Sequence, residues 1–213
     1  MTQVRNAIAA GSLVLALVTV AWAGGAATGR FLSDPVARWE PDGRTMTLIE
    51  SFEYIDANER SWHVPSGVRV DGASIPPLFW SLIGGPFDGQ YRNASIIHDY
   101  YCDNRQRRWE DVHRVFYEAM LTSGVSKSKA SLMYKAVERF GPRWDEPQVD
   151  PKCLRPDGSF NFDACTENSD PTPSPAQMPR LAKDDLMHFA DDMQGSADPA
   201  DLAKLRELAE TID

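Results

Sequence analysis

Three consecutive segments in the middle of the chain place apolar residues at helical spacing. They cover residues 93–103, 109–122 and 128–140, and each carries its apolar side chains three or four positions apart. Gly124 follows the second segment and Gly141 follows the third, and glycine is the residue expected just beyond a helix end. We therefore predict a core of antiparallel helices.

Two segments before these helices have the pattern of short strands. Residues 45–55 contain an alternating Met46 and Leu48, and residues 61–70 are rich in β-branched valine. The polar residues 56–59 separate the two segments and suit a turn. The predicted fold class is α+β, mostly helical, with a short N-terminal β-hairpin followed by the antiparallel helices.

The first 23 residues have the composition of a secretory signal peptide. Arg5 precedes the apolar run 7–21, and Ala21-Trp22-Ala23 offers a small-x-small cleavage site. The run is shorter than the roughly 20 residues that span a bilayer, so cleavage is favoured over anchoring. We expect a periplasmic or secreted protein without a stable membrane span after cleavage.

Composition divides the remaining chain into three parts. Residues 31–144 are predicted to form a single globular domain, residues 145–180 a Pro-rich linker or loop, and residues 181–213 an acidic tail that is helical or partly disordered. An oxidising compartment would allow Cys153 and Cys165 to form a disulfide in the linker. Cys102 lies in a helical segment, where we expect a buried thiol.

The net charge of -9 narrows the classes of partner. Nucleic-acid surfaces need basic stripes, so a nucleic-acid partner is excluded. A bound cation or an acidic, soluble surface fits the charge equally well. The sequence leaves the oligomeric state open.

The residues best suited to chemistry are an Asp71-Gly72 pair and a His98-Asp99 pair. A carboxylate beside a flexible loop whose carbonyls can turn inward offers the oxygen ligands that calcium prefers. Neighbouring residues on a helix point about 100° apart, so His98 can face the core while Asp99 faces a preceding loop. One helix can then supply both a base and a metal ligand.

His113 lies on the apolar face of the following helix. Opposite His98, it can orient that imidazole or join it as a ligand. Purely structural roles remain open, because inward histidines often bond a tyrosine such as Tyr100 or Tyr134 and Asp-Gly is ordinary turn chemistry. Ser74 with His98 as its base is a further alternative, although the Gly-x-Ser-x-Gly pattern of such nucleophiles is missing.

An ordered set of short motifs resembles a bacterial and phage domain-of-unknown-function family, the one numbered 1353. The motifs are Val64-Pro65-Ser66-Gly67, Asp71-Gly72-Ala73-Ser74-Ile75-Pro76, Ile97-His98-Asp99-Tyr100, Phe116 with Ala119-Met120, and Met133-Tyr134 with Ala136-Val137. The resemblance covers about residues 31–144. It implies a fold unit and no established activity.

A remoter resemblance is to secreted prokaryotic and fungal phospholipases A2. It rests on Asp71-Gly72-Ala73-Ser74, His98-Asp99, Phe116-Tyr117-Glu118-Ala119-Met120 and Tyr134-Lys135-Ala136-Val137, in that order. The resemblance implies that Asp71 and Asp99 bind calcium and that His98 takes a proton from the water that attacks an ester. Calcium would then stabilise the oxyanion.

The sequence departs from the phospholipase pattern at the residue that steadies the histidine. The aspartate of the second helix is replaced by His113, and Asp111 lies two positions earlier on another side of the helix. The alternative is a zinc centre built from His98, His113 and an aspartate. The cysteine of the phospholipase loop is also missing.

Three function classes follow from these residues. The first is a metal-dependent, phospholipase-like ester hydrolase with a lipid or cell-envelope substrate, in which His98 and His113 are catalytic and Asp71 and Asp99 hold the metal. The second is a non-catalytic envelope-associated or binding module, in which the same residues form buried hydrogen-bond networks. The third is a cell-wall hydrolase using the same residues. A hydrolase requires them to converge on an open cleft.

Overall fold

The computed structural model describes residues 29–72, 79, 80, 84, 87, 89–145 and 176–212. The predicted signal peptide, Ser74 and the Cys153–Cys165 pair lie outside the described residues. Most of the Pro-rich stretch does so as well.

Six short strands form two antiparallel three-stranded sheets in the described part of the chain. The strands are β1 (Arg30–Phe31), β2 (Ala37–Trp39), β3 (Met46–Leu48), β4 (Phe52–Ile55), β5 (Ser61–Val64) and β6 (Arg69–Val70). One sheet has the order β1-β4-β5 and the other β2-β3-β6.

The predicted hairpin is present as β4 and β5, with Phe52 opposite Val64. Asp56 shapes its turn by accepting hydrogen bonds from the backbone N–H of Asn58 and Arg60, at 2.8 and 2.9 Å. The hairpin is only part of the sheet structure, because each predicted strand is divided between the two sheets. Pattern alone could not show this division, since both halves of each segment suit a strand.

Five helices have all their residues in the described part of the chain. They are α1 (Arg92–Asn104), α2 (Trp109–Thr122), α3 (Lys127–Phe140), α4 (Lys183–Asp192) and α5 (Pro199–Ala209), and the first three lie at or close to the predicted positions. With strands first and helices dominating, the predicted α+β class is confirmed. Among the described residues, none of the helices combines the length and the apolar character that a membrane crossing requires.

Helix α1 lies at the centre of the described core. All nine residues from 94 to 102 are buried, on every side of the helix. α1 packs against α2 on one side and against β5 and β6 on another. Polar residues in its middle are consequently enclosed by protein rather than water.

The C-terminal helices pack on this core. Phe189 of α4 lies edge-on to Phe140 of α3, with ring centroids 5.5 Å apart, and contacts Phe79 at 6.3 Å. The Arg139 guanidinium binds the Asp192 carboxylate at 3.0 Å. The tail, for which the sequence left docking and disorder open, therefore has two docked helices at residues 183–192 and 199–209.

Candidate metal centre

Two adjacent helices bring three potential metal ligands together. His98 and Cys102 are four residues apart on α1, so they share one face of that helix. His113 projects from α2, which runs back along α1 after the four-residue connection 105–108. The donor atoms of the three side chains all lie within 4.8 Å of one another.

The two imidazoles are in direct contact. Nε2 of His98 lies 2.9 Å from Nδ1 of His113. The sulfur of Cys102 lies 3.6 Å from Nε2 of His98 and 3.8 Å from its Nδ1. A metal ion bound by all three side chains would replace the hydrogen bond between the two imidazoles.

A backbone carbonyl determines which nitrogen of His113 carries its proton. Nε2 of His113 lies 3.1 Å from the carbonyl oxygen of Pro142. Since a carbonyl oxygen only accepts, this nitrogen donates, and Nδ1 keeps its lone pair toward His98. Metal-binding histidines usually have such a partner on the nitrogen opposite the metal.

Both imidazoles are held neutral by their surroundings. Burial, followed by the proximity of His113, keeps the pKa of His98 well below its usual value. Burial also lowers the pKa of His113 to about 4, against the opposing effect of the Pro142 hydrogen bond. A neutral imidazole can ligate a metal without first losing a proton.

The cluster is enclosed by protein. His98 and His113 are 0% exposed and Cys102 is 3% exposed. The ring of Phe116 packs against His98 with centroids 4.5 Å apart, and Trp109 lies 5.5 Å from His113. This environment excludes bulk water and strengthens electrostatic interactions.

Asp99 faces a different part of the molecule, as its position on α1 predicted. Its Oδ2 accepts hydrogen bonds from the backbone N–H of Asp71 at 2.7 Å and of Gly72 at 3.2 Å. Burial, together with the negative charge of Asp71, raises the pKa of Asp99 to about 7 despite these bonds. Asp99 thus fastens the segment that follows β6 to the central helix.

The side chain of Asp71 points away from the histidines. Its carboxylate binds the Arg44 guanidinium at 3.0 Å and is 54% exposed. The four residues chosen from the sequence therefore separate into two sets. His98 and His113 meet in the core with Cys102, whereas Asp99 meets the backbone of residues 71–72.

The structure resolves which residue of α2 contacts His98. Asp111 forms ion pairs with Arg114 at 2.6 Å and Arg60 at 3.7 Å, so His113 is the partner. Cys102 was expected to be a buried thiol, which is confirmed, but not a ligand. Its spacing of four residues from His98 was the pattern that could have identified it.

Comparison with known proteins gives a family match for the central part of the chain. Residues 46–137 match DUF1353, described as a protein of unknown function. The DUF1353 region contains His98, Cys102 and His113 as well as Asp71 and Asp99. It is shorter than the predicted extent of 31–144 and ends before Pro142.

Two curated relatives are similar to about half of this chain. Uncharacterized protein y4jT of Sinorhizobium fredii is 48% identical over 118 residues, which are 54% of this chain and 35% of the relative. Uncharacterized protein y4iH of the same organism is 44% identical over 112 residues, 53% of this chain and 47% of the relative. The chain thus spans about one third and one half of these relatives' lengths.

No solved structure matches the chain. The family match supports the first resemblance drawn from the sequence. The resemblance to phospholipase A2 is not supported, since neither the DUF1353 description nor the two relatives' names mention such an activity.

Proposed function

We propose that this chain is a non-catalytic metal-binding module, which holds one soft transition-metal ion between α1 and α2. The proposal rests mainly on two imidazole nitrogens and one thiol sulfur in the core, which all lie within 4.8 Å of one another. Imidazole and thiolate are the ligands of zinc and copper rather than of calcium or magnesium. His98, Cys102 and His113 are the proposed ligands.

The surroundings of the cluster support this assignment. The Pro142 carbonyl orients His113 so that its Nδ1 lone pair faces the proposed ion. Both histidines are neutral because burial lowers their pKa values. Only the thiol must release a proton on binding, so the site is largely formed before the metal arrives.

Calcium at Asp71 and Asp99 is less favoured. Calcium takes six to eight oxygen ligands. One oxygen of Asp99 already accepts two backbone N–H groups, and the Asp71 carboxylate binds Arg44. These partners occupy electron pairs that a calcium ion would need, and the guanidinium adds a repelling charge.

The phospholipase-like and cell-wall hydrolase proposals are also less favoured. A general base must reach a water molecule beside the substrate. His98 is 0% exposed, and its Nε2 is engaged by His113. Export and a lipid or cell-envelope partner remain predictions from the sequence.

Cobalt(II) titration tests the proposed ligands, because cobalt replaces zinc and reports its ligands in the visible spectrum. We expect one cobalt per chain, with a thiolate-to-cobalt charge-transfer band that zinc abolishes by displacement. Cys102→Ser should remove the charge-transfer band. His113→Gln should weaken cobalt binding by at least about 10-fold, because only two of the three protein ligands would remain.

Matched controls use the other histidines and cysteines. His188 is exposed on α4 and His63 lies on β5, so His188→Ala and His63→Ala should leave the spectrum unchanged. The C153S/C165S chain, which retains Cys102, should also bind normally. Binding that depends on His188 or Cys153, or that is insensitive to Cys102, would reject the proposal.

A further inference from the structure

Given the proposed metal-binding function, the charge of the ligand set bears on which ion the centre holds. A histidine that ligates a metal is neutral and a metal-bound cysteine is a thiolate, so His98, His113 and Cys102 together supply one negative charge. A divalent ion would leave the centre with one positive charge, whereas a monovalent ion would leave it neutral.

The location of the centre makes this difference important. The three side chains are 0–3% exposed, and a net charge in such surroundings is strongly disfavoured unless it is paired. The Arg143 guanidinium lies over the Trp109 ring, 5.0 Å from its centroid, and that ring packs against His113. A second net positive charge there would be repelled.

No carboxylate in the described residues compensates for such a charge within the cluster. Within the described ranges, a single cluster brings three or more potential ligands together, and it consists of His98, Cys102 and His113. Asp99 follows His98 in the sequence, but its Oδ2 is directed at the backbone of residues 71–72.

The number of ligands leads to the same ion. Zinc sites are almost always four-coordinate, with water filling an open position in catalytic sites. Here three protein ligands meet in a region closed to bulk water. Two imidazoles and one thiolate form the trigonal donor set that copper accepts, whereas zinc would lack its fourth ligand.

We infer that the His98–Cys102–His113 centre binds monovalent copper in preference to zinc. The ion would bond to Nε2 of His98, Nδ1 of His113 and Sγ of Cys102. Nε2 of His113 would keep its hydrogen bond to Pro142, and Phe116 and Trp109 would shield the ion from oxidants and water.

Binding is a ligand exchange without electron transfer. The Cys102 thiol loses its proton to solvent and forms a copper–sulfur bond. His98 moves its ring proton from Nε2 to Nδ1, which frees the Nε2 lone pair for the metal. Copper enters and remains as copper(I), the histidines remain neutral, and one proton is released per ion.

The test is an anaerobic competition on the full C153S/C165S chain, in which Cys102 is the remaining cysteine. Copper(I) is supplied as its complex with the coloured chelator bicinchoninate, and zinc(II) is titrated in parallel against a zinc chelator. We expect one copper(I) per chain and an affinity for copper(I) at least about 100-fold above that for zinc, from the three-ligand donor set and the charge match. Cys102→Ser should lower the copper(I) affinity by about 100-fold or more, and His188→Ala should not change it.

X-ray absorption on the copper-loaded chain provides a second measurement without a substitution at the site. One sulfur and two nitrogen neighbours around copper would support the inference. Tighter zinc than copper(I) binding, with zinc lost in Cys102→Ser, would overturn the copper assignment and leave the metal-binding function standing. Failure of copper(I), zinc and cobalt alike to bind would overturn both.

Discussion

His98 and Asp99 are consecutive residues on α1, yet they have separate structural roles. Helix geometry turns them about 100° apart, so the imidazole meets His113 while the carboxylate meets the backbone of residues 71–72. A pattern that reads as one catalytic pair therefore contains a metal-ligand candidate and a loop anchor. The two roles should separate when each residue is substituted.

The pH dependence of stability reports on the buried histidines. In the metal-free chain, an unfolded histidine takes up a proton near its ordinary pKa of 6.5, whereas folded His113 is protonated only near its lowered pKa of about 4. The unfolded state thus binds more protons between these values, and stability falls as the pH is lowered through them. We expect His113 alone to contribute a loss of about 3 kcal/mol, measurable by urea denaturation at a series of pH values.

Asp99 acts in the opposite direction over nearly the same range. Its pKa is raised from 3.8 to about 7, so the folded state holds the proton more tightly and gains stability as the pH falls. Asp99→Asn should remove this compensation and steepen the acid-side loss, while His113→Gln should flatten it. Equal slopes in the wild type and both variants would refute the burial of these groups.

Glu118 of α2 connects the helices to the first sheet through a single oxygen. Its Oε1 accepts hydrogen bonds from the backbone N–H of Gly29 and Ala57 and from the Tyr54 hydroxyl, at 3.1, 2.6 and 3.0 Å. Glu118→Ala should lower the free energy of unfolding by about 1–3 kcal/mol, because three donors lose their acceptor. Thermal or urea unfolding measures the effect.

The conservative variant Glu118→Gln keeps an acceptor oxygen and should lose less stability than Glu118→Ala. Glu207 is exposed on α5, so Glu207→Ala should change the free energy of unfolding by no more than about 0.5 kcal/mol. If Glu118→Ala were as mild as Glu207→Ala, the proposed connection would be absent in solution.

At the scale of elements, α1 explains why sequence reasoning found the fold more readily than the site. Helical spacing and glycine ends identified α1, α2 and α3 to within a residue or so at each end. Periodicity predicts one buried face, whereas α1 is buried all round by α2 on one side and by strands on another. The spacing of four residues could have paired Cys102 with His98, but the contact between His98 and His113 is tertiary, and no local pattern contains it.

The end of α3 is a second element that bears on the centre. A Cβ atom at Gly141 would lie 2.3 Å from the Val137 carbonyl oxygen, which is too close for the backbone to remain in place. Gly141→Ala should therefore displace the adjacent Pro142 carbonyl from His113 and destabilise the chain by about 2 kcal/mol or more. Both the free energy of unfolding measured in urea and the affinity for cobalt should be lower than in the wild type.

Gly195 provides the comparison for this variant. It has a positive φ of 82° but nothing within 4 Å of an added Cβ. Gly195→Ala should cost about 1–2 kcal/mol from backbone conformation alone and leave metal affinity intact. A Gly141→Ala chain with normal metal affinity would argue against a role for the Pro142 carbonyl in orienting His113.

At the scale of the whole molecule, the C-terminal helices complete the core. Phe189 is 3% exposed and packs against Phe140, so Phe189→Ala should lower the free energy of unfolding by about 3–5 kcal/mol. The exposed neighbour His188 offers a matched substitution on the same helix, expected to stay within about 0.5 kcal/mol. Chemical denaturation of the two variants measures the difference, and equal stabilities would mean that α4 is not docked.

The docking of the tail could not be predicted from the sequence, because its acidic composition also fits a disordered segment. Leu202, Leu205 and Leu208 lie at near-helical spacing, which favours a helix, but their charged neighbours suited a disordered tail as well. The structure pairs part of that charge, because Asp192 binds Arg139 and Asp191 binds Arg206. These ion-pair partners are distant in sequence, so the composition of the tail alone could not show that its charges are paired.

We propose that the α1–α2 pair binds a metal ion through His98, Cys102 and His113. A crystal structure of the copper(I)-loaded chain, with diffraction data collected at the copper absorption edge, would locate the ion. We expect one anomalous peak bonded to Nε2 of His98, Nδ1 of His113 and Sγ of Cys102. If no peak lay between α1 and α2, or if the peak lay at Asp71 and Asp99, this assignment of ligands would be wrong.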